Sequence, residues 1–296
     1  MKPNLGGFKV AVVGGDDREL ILIQELVAAG ARVNVIGRPV KSGLSGVNVY
    51  QDPEKCLEGV YAVILPVPGI DERGIIYSPF AQQPLNINDL APQIPDGACV
   101  FIGKAKPFLY QITSQKSLRL YELLKLDEVA ILNSIPTAEG AVQLALEMMP
   151  ITIHGCSAFV LGFGRIGVTL SRLLGAMGAR TRVIARRYEH LARITEMNLV
   201  PIHFSQAADY LGEADVIFNT IPAPVLTGDV LKRVSPDAII IDLASSPGGT
   251  DFKLSESLGI KAILAPGLPG KVAPKTAGRI LTKVITRILA EETAGS

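Results

Sequence analysis

Two stretches decide the fold when set one above the other: Phe8–Arg38, FKVAVVGGDDRELILIQELVAAGARVNVIGR, and Ala158–Arg186, AFVLGFGRIGVTLSRLLGAMGARTRVIAR. They align without a gap over their shared length, so that Gly14 falls on Gly162, Gly30 on Gly178 and Arg38 on Arg186, each pair 148 positions apart. Both run from an apolar strand through a glycine turn into an amphipathic helix, then through Gly-Ala into a second apolar strand. That is one β-α-β unit written twice. Parallel strands joined in this way take a right-handed crossover.

The likeness continues more loosely outward. Ala62-Val-Ile-Leu-Pro-Val-Pro68 stands beside Asp215-Val-Ile-Phe-Asn-Thr-Ile-Pro222, Pro95–Ile102 beside Pro236–Leu243, and the short apolar runs Val129–Leu132 and Lys261–Leu264 read as the strands that close each half. The pattern predicts an α/β protein of two doubly wound, parallel-sheet (Rossmann-like) domains with an interdomain cleft. The first covers residues 1–135 and the second 136–273. Pro136 and Thr137 read as first-turn or cap residues of a helix over 138–149 that Pro150 stops. A last helix, about 274–291, carries Ile280, Leu281, Val284, Ile285, Ile288 and Leu289 at helical spacing and is expected to pack back on the first domain.

Composition narrows the function. The chain has 296 residues, 48% of them hydrophobic, with 29 Lys and Arg against 28 Asp and Glu, a net charge of +1. No broad basic field is available for nucleic acid or an acidic membrane, so a small ligand is expected. The mean hydropathy of +0.33 fits strands buried on both faces, because charges, prolines and glycines interrupt the apolar runs before the ~20 residues of a spanning helix. Met1–Phe8 has one Lys and no apolar core of a secretory signal, which predicts a cytoplasmic protein. Cys56, Cys99 and Cys156 are widely spaced and read as small buried hydrophobes, not as a disulfide framework or zinc site. Three histidines are too few for a rich metal site, and no metal is expected.

The second glycine turn carries the chemistry. Gly162-Phe163-Gly164-Arg165-Ile166-Gly167 follows a strand and opens a helix, the context that turns Gly-x-Gly-x-x-Gly into a dinucleotide fingerprint. Gly162 would permit the tight turn, Gly164 the approach of pyrophosphate and Gly167 close helix–strand packing, with the amides of Gly164, Arg165 and Ile166 facing the phosphates. At the end of the next strand the ribose-binding carboxylate of NAD enzymes is replaced by Arg186 and Arg187, which suit a 2′-phosphate, so NADP is expected over NAD. Asn219-Thr220-Ile221-Pro222 ends a later strand, and backbone contacts to the cofactor are expected from Thr220 and Ile221 beside Pro222. In the first copy, Asp16, Asp17 and Glu19 crowd the equivalent turn with like charge. That half is read as the substrate side.

Ligands of such sheets bind beyond the carboxyl ends of the strands. The residues found there are Lys104, Lys106, Asn133, Ser134, Thr137, Ser245 and Ser246, cations and hydroxyls suited to a small dicarboxylate. Their plain alternatives stand beside this: the lysines facing solvent, Thr137 capping a helix. Glu139 and Lys104 are the candidates for acid–base work, Glu139 serving otherwise the helix dipole. His154 and His203 read as packing or surface residues.

Taken together, Ile135-Pro-Thr-Ala-Glu-Gly-Ala141, Thr152-Ile-His-Gly-Cys-Ser157, Val160-Leu-Gly-Phe-Gly-Arg-Ile-Gly167 and Ala265-Pro-Gly-Leu-Pro-Gly-Lys-Val-Ala-Pro-Lys-Thr-Ala-Gly278 resemble the dipicolinate synthase A-subunit family along nearly the whole chain. The resemblance implies NADP-dependent oxidation of dihydrodipicolinate to dipicolinate in the mother-cell cytoplasm of sporulating bacteria. It also implies a second, flavoprotein-like partner, the dipicolinate synthase B-subunit, and leaves homo-oligomers open. Two alternatives are a non-catalytic NADP-binding protein of regulatory or scaffold role, and a D-2-hydroxyacid dehydrogenase-like enzyme acting on another small carboxylate. The catalytic Arg and His of that second family are absent, their places held by Ser245-Ser-Pro-Gly-Gly249 and Pro266-Gly-Leu-Pro269.

Overall fold

The computed structural model describes residues 4–40 and 43–294. They divide into two compact units, Met1–Leu132 with Ala273–Ser296, and Asn133–Val272. In the first, β1 (Lys9–Val13), β2 (Arg32–Ile36), β3 (Val47–Tyr50), β4 (Ala62–Ile64), β5 (Cys99–Ile102) and β6 (Arg119–Glu122) form a six-stranded sheet in the order β3-β2-β1-β4-β5-β6. In the second, β7 (Ser157–Leu161), β8 (Arg180–Ala185), β9 (Val200–His203), β10 (Val216–Asn219), β11 (Ile239–Asp242) and β12 (Lys261–Leu264) repeat that order as β12-β11-β10-β7-β8-β9. Every neighbouring pair is parallel. This is the doubly wound order, whose reversal between the first and fourth strands opens a crevice at the carboxyl ends.

Burial explains why these segments are strands. Val10, Ala11, Val12 and Val13 are fully buried, as are Ala158, Phe159 and Val160, because helices cover both faces of each sheet. Each large apolar side chain so buried contributes about 1.5–3 kcal/mol. Cys56, Cys99 and Cys156 are free and buried in these cores. Burial pushes the Cys56 thiol up to about 12, so it packs as a small hydrophobe.

Two expectations need correction. Val129–Leu132 is not a strand: it lies in helix α2 (Asp127–Met148), which follows α1 (Asp17–Ala28) in the order used here. A four-residue apolar run has no period that separates strand from helix, and the acidic first turn, Asp127 and Glu128, favours the helix. The sixth strand is instead Arg119–Glu122, whose polar residues suit a sheet edge and whose Tyr121 stacks on Phe101 at 5.0 Å. Nor does Pro136 open a helix. It lies inside α2, where it has no amide to give the Leu132 carbonyl, and Thr137 Oγ1 donates to the Asn133 carbonyl at 2.7 Å. The unit boundary therefore falls within one continuous helix. By length and composition α2 could cross a membrane (mean hydropathy 1.2 over its most apolar window), and half of that window is buried.

Further along the chain lie α3 (Arg165–Ala176), α4 (Tyr188–Glu196) and α5 (Pro274–Ala294). Helix α5 completes the first unit. Leu281, Val284, Ile285 and Leu289 enter the core that contains Leu22, Ile23 and Leu26 of α1. Gly278 permits the approach, since a Cβ there would stand 2.7 Å from the Arg18 carbonyl oxygen.

Candidate functional site

In the second unit β7 delivers the chain into a turn at Gly162, whose φ of +95° is open to glycine at little cost. Its amide donates to the Ile184 carbonyl at 2.9 Å, and a Cβ here would run into Thr220 Oγ1 and Ile221 Cγ1. Gly167 is constrained differently: a Cβ would collide with the Gly162 carbonyl, so the glycine lets α3 sit directly against the turn. Gly164 is constrained by nothing among the described residues. It is the N-cap of α3 with an ordinary φ of −89°, no side chain caps the helix, and a Cβ would meet no atom within 4 Å. The helix thus presents its positive end to an open cradle, which a pyrophosphate fits and a side chain would fill. Phe163 is buried beneath, its ring edge against His190 at 5.6 Å.

The first unit shows the same turn closed by its own chain. The Gly15 amide donates to the Tyr77 carbonyl at 2.9 Å, and the carboxylate of Glu19, the residue aligned with Gly167, accepts from the Asp16 amide at 2.7 Å and from Val67 at 3.3 Å. Asp16 caps α1 and pairs with Arg18 at 2.7 Å, and Arg38 donates to the Asp16 carbonyl. Burial, reinforced by the charge of Asp16, pushes the Glu19 carboxyl up to about 7. Burial also acts to raise Asp16, but the bonds and charge of Arg18 outweigh it and hold that carboxyl below its ordinary value. Asp17 is exposed, so the crowding carboxylates are Asp16 and Glu19.

At the end of β8, Arg186 and Arg187 are both exposed. The Arg186 guanidinium lies over the Phe204 ring at 5.3 Å. Arg38, its counterpart in the first unit, lies over Phe80 at 5.6 Å but is buried. Arg187 is the N-cap of α4, 3.0 Å from Glu189 and 2.6 Å from His190. Backbone contacts expected from Thr220 and Ile221 meet a competing use. The Thr220 amide and hydroxyl both donate to the Leu161 carbonyl, at 2.9 and 2.8 Å, and the Ile221 amide donates to Asn219 Oδ1 at 3.0 Å. With those donors committed, this segment shapes the turn through its side chains, and Pro222 follows as an amide-free residue.

The substrate-side residues fall on both units. Lys104 is exposed and Lys106 pairs with Glu72 beside a cavity of 560 Å³ lined by Gly69, Ile76, Tyr77 and Ser78. In α2, Ser134 is buried with its hydroxyl 2.6 Å from Thr169, and Thr137 is bonded within the helix, which removes the cap reading. Asn133 Oδ1 is buried and has no hydrogen-bond partner among the described residues. Glu139 is exposed and, with Ile135, Thr169 and Arg172, edges a 370 Å³ hollow. Ser245 and Ser246 are exposed on the loop after β11. His154 packs over Gly178, and His203 stacks on Tyr188 at 5.6 Å.

That loop is held by a residue the sequence reading missed. Asp242 is fully buried and accepts from the Ala244 amide at 3.0 Å, the Gly249 amide at 2.8 Å and Thr250 Oγ1 at 2.7 Å. Asn219, its register partner on β10, ties down Ile221 in the same way. The available signal was a polar residue closing an otherwise apolar strand, Val-Ile-Phe-Asn219 and Ile-Ile-Ile-Asp242.

Known proteins share both halves of this architecture. Residues 9–124 match the family described as the N-terminal domain of the dipicolinate synthase A-subunit, and residues 135–251 the NAD binding domain of D-isomer specific 2-hydroxyacid dehydrogenases. The chain is 42% identical over 289 residues to the dipicolinate synthase A-subunit of Bacillus subtilis (strain 168), covering 97% of each. The crystal structure of dipicolinate synthase, A chain, from Bacillus subtilis superimposes with a TM-score of 0.93 at 41% identity over 100% of both chains. That of the dipicolinate synthase A-subunit from Bacillus halodurans gives 0.92 at 41% identity, covering 97% of this chain and 99% of that one.

Proposed function

Because the chain belongs to the dipicolinate synthase A-subunit family, we propose that it oxidises dihydrodipicolinate to dipicolinate with NADP, acting with a second, different chain in the cytoplasm of a sporulating cell. The single observation that carries the cofactor assignment is the pairing of an uncapped, open turn at Gly164 with two exposed guanidinium groups, Arg186 and Arg187, at the end of β8. The turn suits a pyrophosphate and the guanidinium pair a 2′-phosphate.

The chemistry asks little of the protein beyond orientation. Loss of hydride from the ring carbon bearing a carboxylate, with a proton from its neighbour, leaves an aromatic pyridine, so the product supplies much of the driving force. NADP, when bound, accepts the hydride. We assign to this chain the fixing of the dinucleotide on Gly162–Gly167 and the supply of cations from Lys104 and Lys106 for a carboxylate. The exposed hydroxyls of Ser245 and Ser246 would donate to the substrate, their loop kept in place by Asp242. Glu139 and Lys104 remain the groups assigned to the proton.

The test follows reduced-nicotinamide absorbance as freshly generated dihydrodipicolinate is supplied with NADP or NAD, with and without the companion chain. Turnover preferring NADP supports the reading. Stoichiometric NADP binding without turnover in the presence of both proteins overturns it in favour of a regulatory role.

A further inference from the structure

We propose that His190 is a specificity-determining residue of the 2′-phosphate site, and that it takes up a proton when NADP binds. The proposal rests on the NADP reading above and names a group that reading leaves out. Arg187 Nη2 lies 2.6 Å from His190 Nε2. A guanidinium keeps its charge and can only donate. In this contact Nε2 can only accept, which requires the neutral tautomer that carries its proton on Nδ1.

A cation and a neutral imidazole are thus held together, with Glu189 engaging Arg187 Nε at 3.0 Å. Both members of that ion pair are mostly exposed, so the pair is weak. A phosphate monoester near neutral pH carries close to two charges and three acceptor oxygens, which outcompete one solvated carboxylate for Arg187. Once Nη2 turns to a phosphate oxygen, His190 Nε2 loses the donor it was accepting from. Beside that oxygen the imidazole gains by binding a proton and donating in its turn, so phosphate binding and protonation favour one another.

His190 is positioned for this. Its ring meets Phe163, the residue between Gly162 and Gly164, at 5.6 Å and an interplanar angle of 61°. Arg187 from the start of α4 and Phe163 from the glycine turn hold the ring, and Glu189 engages Arg187. Nearby, Arg186 lies over Phe204, and Tyr188 stacks on His203. One histidine thereby joins the pyrophosphate turn to the residue that reads the ribose phosphate.

The experiment titrates the full-length protein with NADP and with NAD by calorimetry at pH 6, 7 and 8, in buffers of different ionisation enthalpy, for the wild type and His190→Gln. The wild type should take up more proton on binding NADP than the variant does. The titration of the free 2′-phosphate is common to both proteins and cancels. His190→Gln should bind NADP about tenfold more weakly at pH 6, with a smaller deficit at pH 8 and NAD affinity unchanged. Equal proton counts, or equal losses for both cofactors, would reduce His190 to a structural residue and overturn the proposal. An NADP preference that survives in full in the variant overturns the proposal alone. A wild type that holds NAD as tightly as NADP overturns the cofactor reading and this proposal with it.

Discussion

Glu19 stands in the first glycine turn where Gly167 stands in the second, and its carboxylate fills with protein the space that the second turn leaves open. Two positions, Asp16 and Glu19 against Gly164 and Gly167 at the same offset of 148, distinguish a turn bonded to its own chain from one whose helix end is uncapped.

The two later glycines of the second turn should therefore respond differently to a methyl group. Gly164→Ala meets open space, so the fold should stay within about 1 kcal/mol of wild type while cofactor affinity falls at least tenfold. Gly167→Ala drives a methyl into the Gly162 carbonyl and should cost about 1–3 kcal/mol of stability. Thermal unfolding and NADP titration of both variants separate the roles; equal destabilisation by both would remove the distinction.

Replacing Arg186 and Arg187 together by Ala removes charge-assisted bonds worth about 1.5–3 kcal/mol each. NADP affinity should fall by about a hundredfold or more while NAD affinity barely changes. Equal losses, read by fluorescence titration of the reduced cofactors, would refute the phosphate assignment.

Glu19 gives the first unit a pH signature. Its folded value lies near 7, above the ordinary 4.5. Below 4.5 both folded and unfolded chains hold the proton; between 4.5 and about 7 the folded chain holds more, so stability falls as pH rises through that window, by at most about 3 kcal/mol. Asp16, held low, acts in the opposite sense and loses its contribution only as pH falls into the acid range. Urea unfolding from pH 4.5 to 8 should show a steeper decline for wild type than for Glu19→Gln. Parallel curves would mean that Glu19 titrates as an ordinary carboxyl.

Asp242→Ala leaves the Gly249 amide and the Thr250 hydroxyl without their buried acceptor and should cost about 2–4 kcal/mol. If the loop it holds presents Ser245 and Ser246 to substrate, the substrate KM should rise with the NADP dissociation constant little changed. A selective loss of NADP affinity would assign Asp242 to the cofactor instead.

Much of this was legible because it repeats. The glycine turns, their helices and the strands around them recur at a constant offset, and parallel strands buried on both faces leave unbroken apolar runs. What escaped had a local pattern pointing the wrong way. Arg119–Glu122 is too polar to announce itself as a strand, since a sheet edge leaves part of it wet. Val129–Leu132 is short enough to read either way, and Pro136 marks a helix start in most contexts but here sits inside one. At the site, residue type revealed which groups could bind, but not which were already engaged. Thr137, Ser134 and Thr220 are donors in the sequence and are committed in the fold.

The second unit is an insertion: it begins and ends within a chain whose first 132 residues build one core by themselves and need α5 to complete the other. On the ribosome the inserted unit has its whole sequence by residue 272, while α1 keeps an apolar flank uncovered until α5 emerges. Synthesis therefore completes the sequence of the second unit before that of the half that precedes it, and a chain cut short before Pro274 lacks the helix that covers α1.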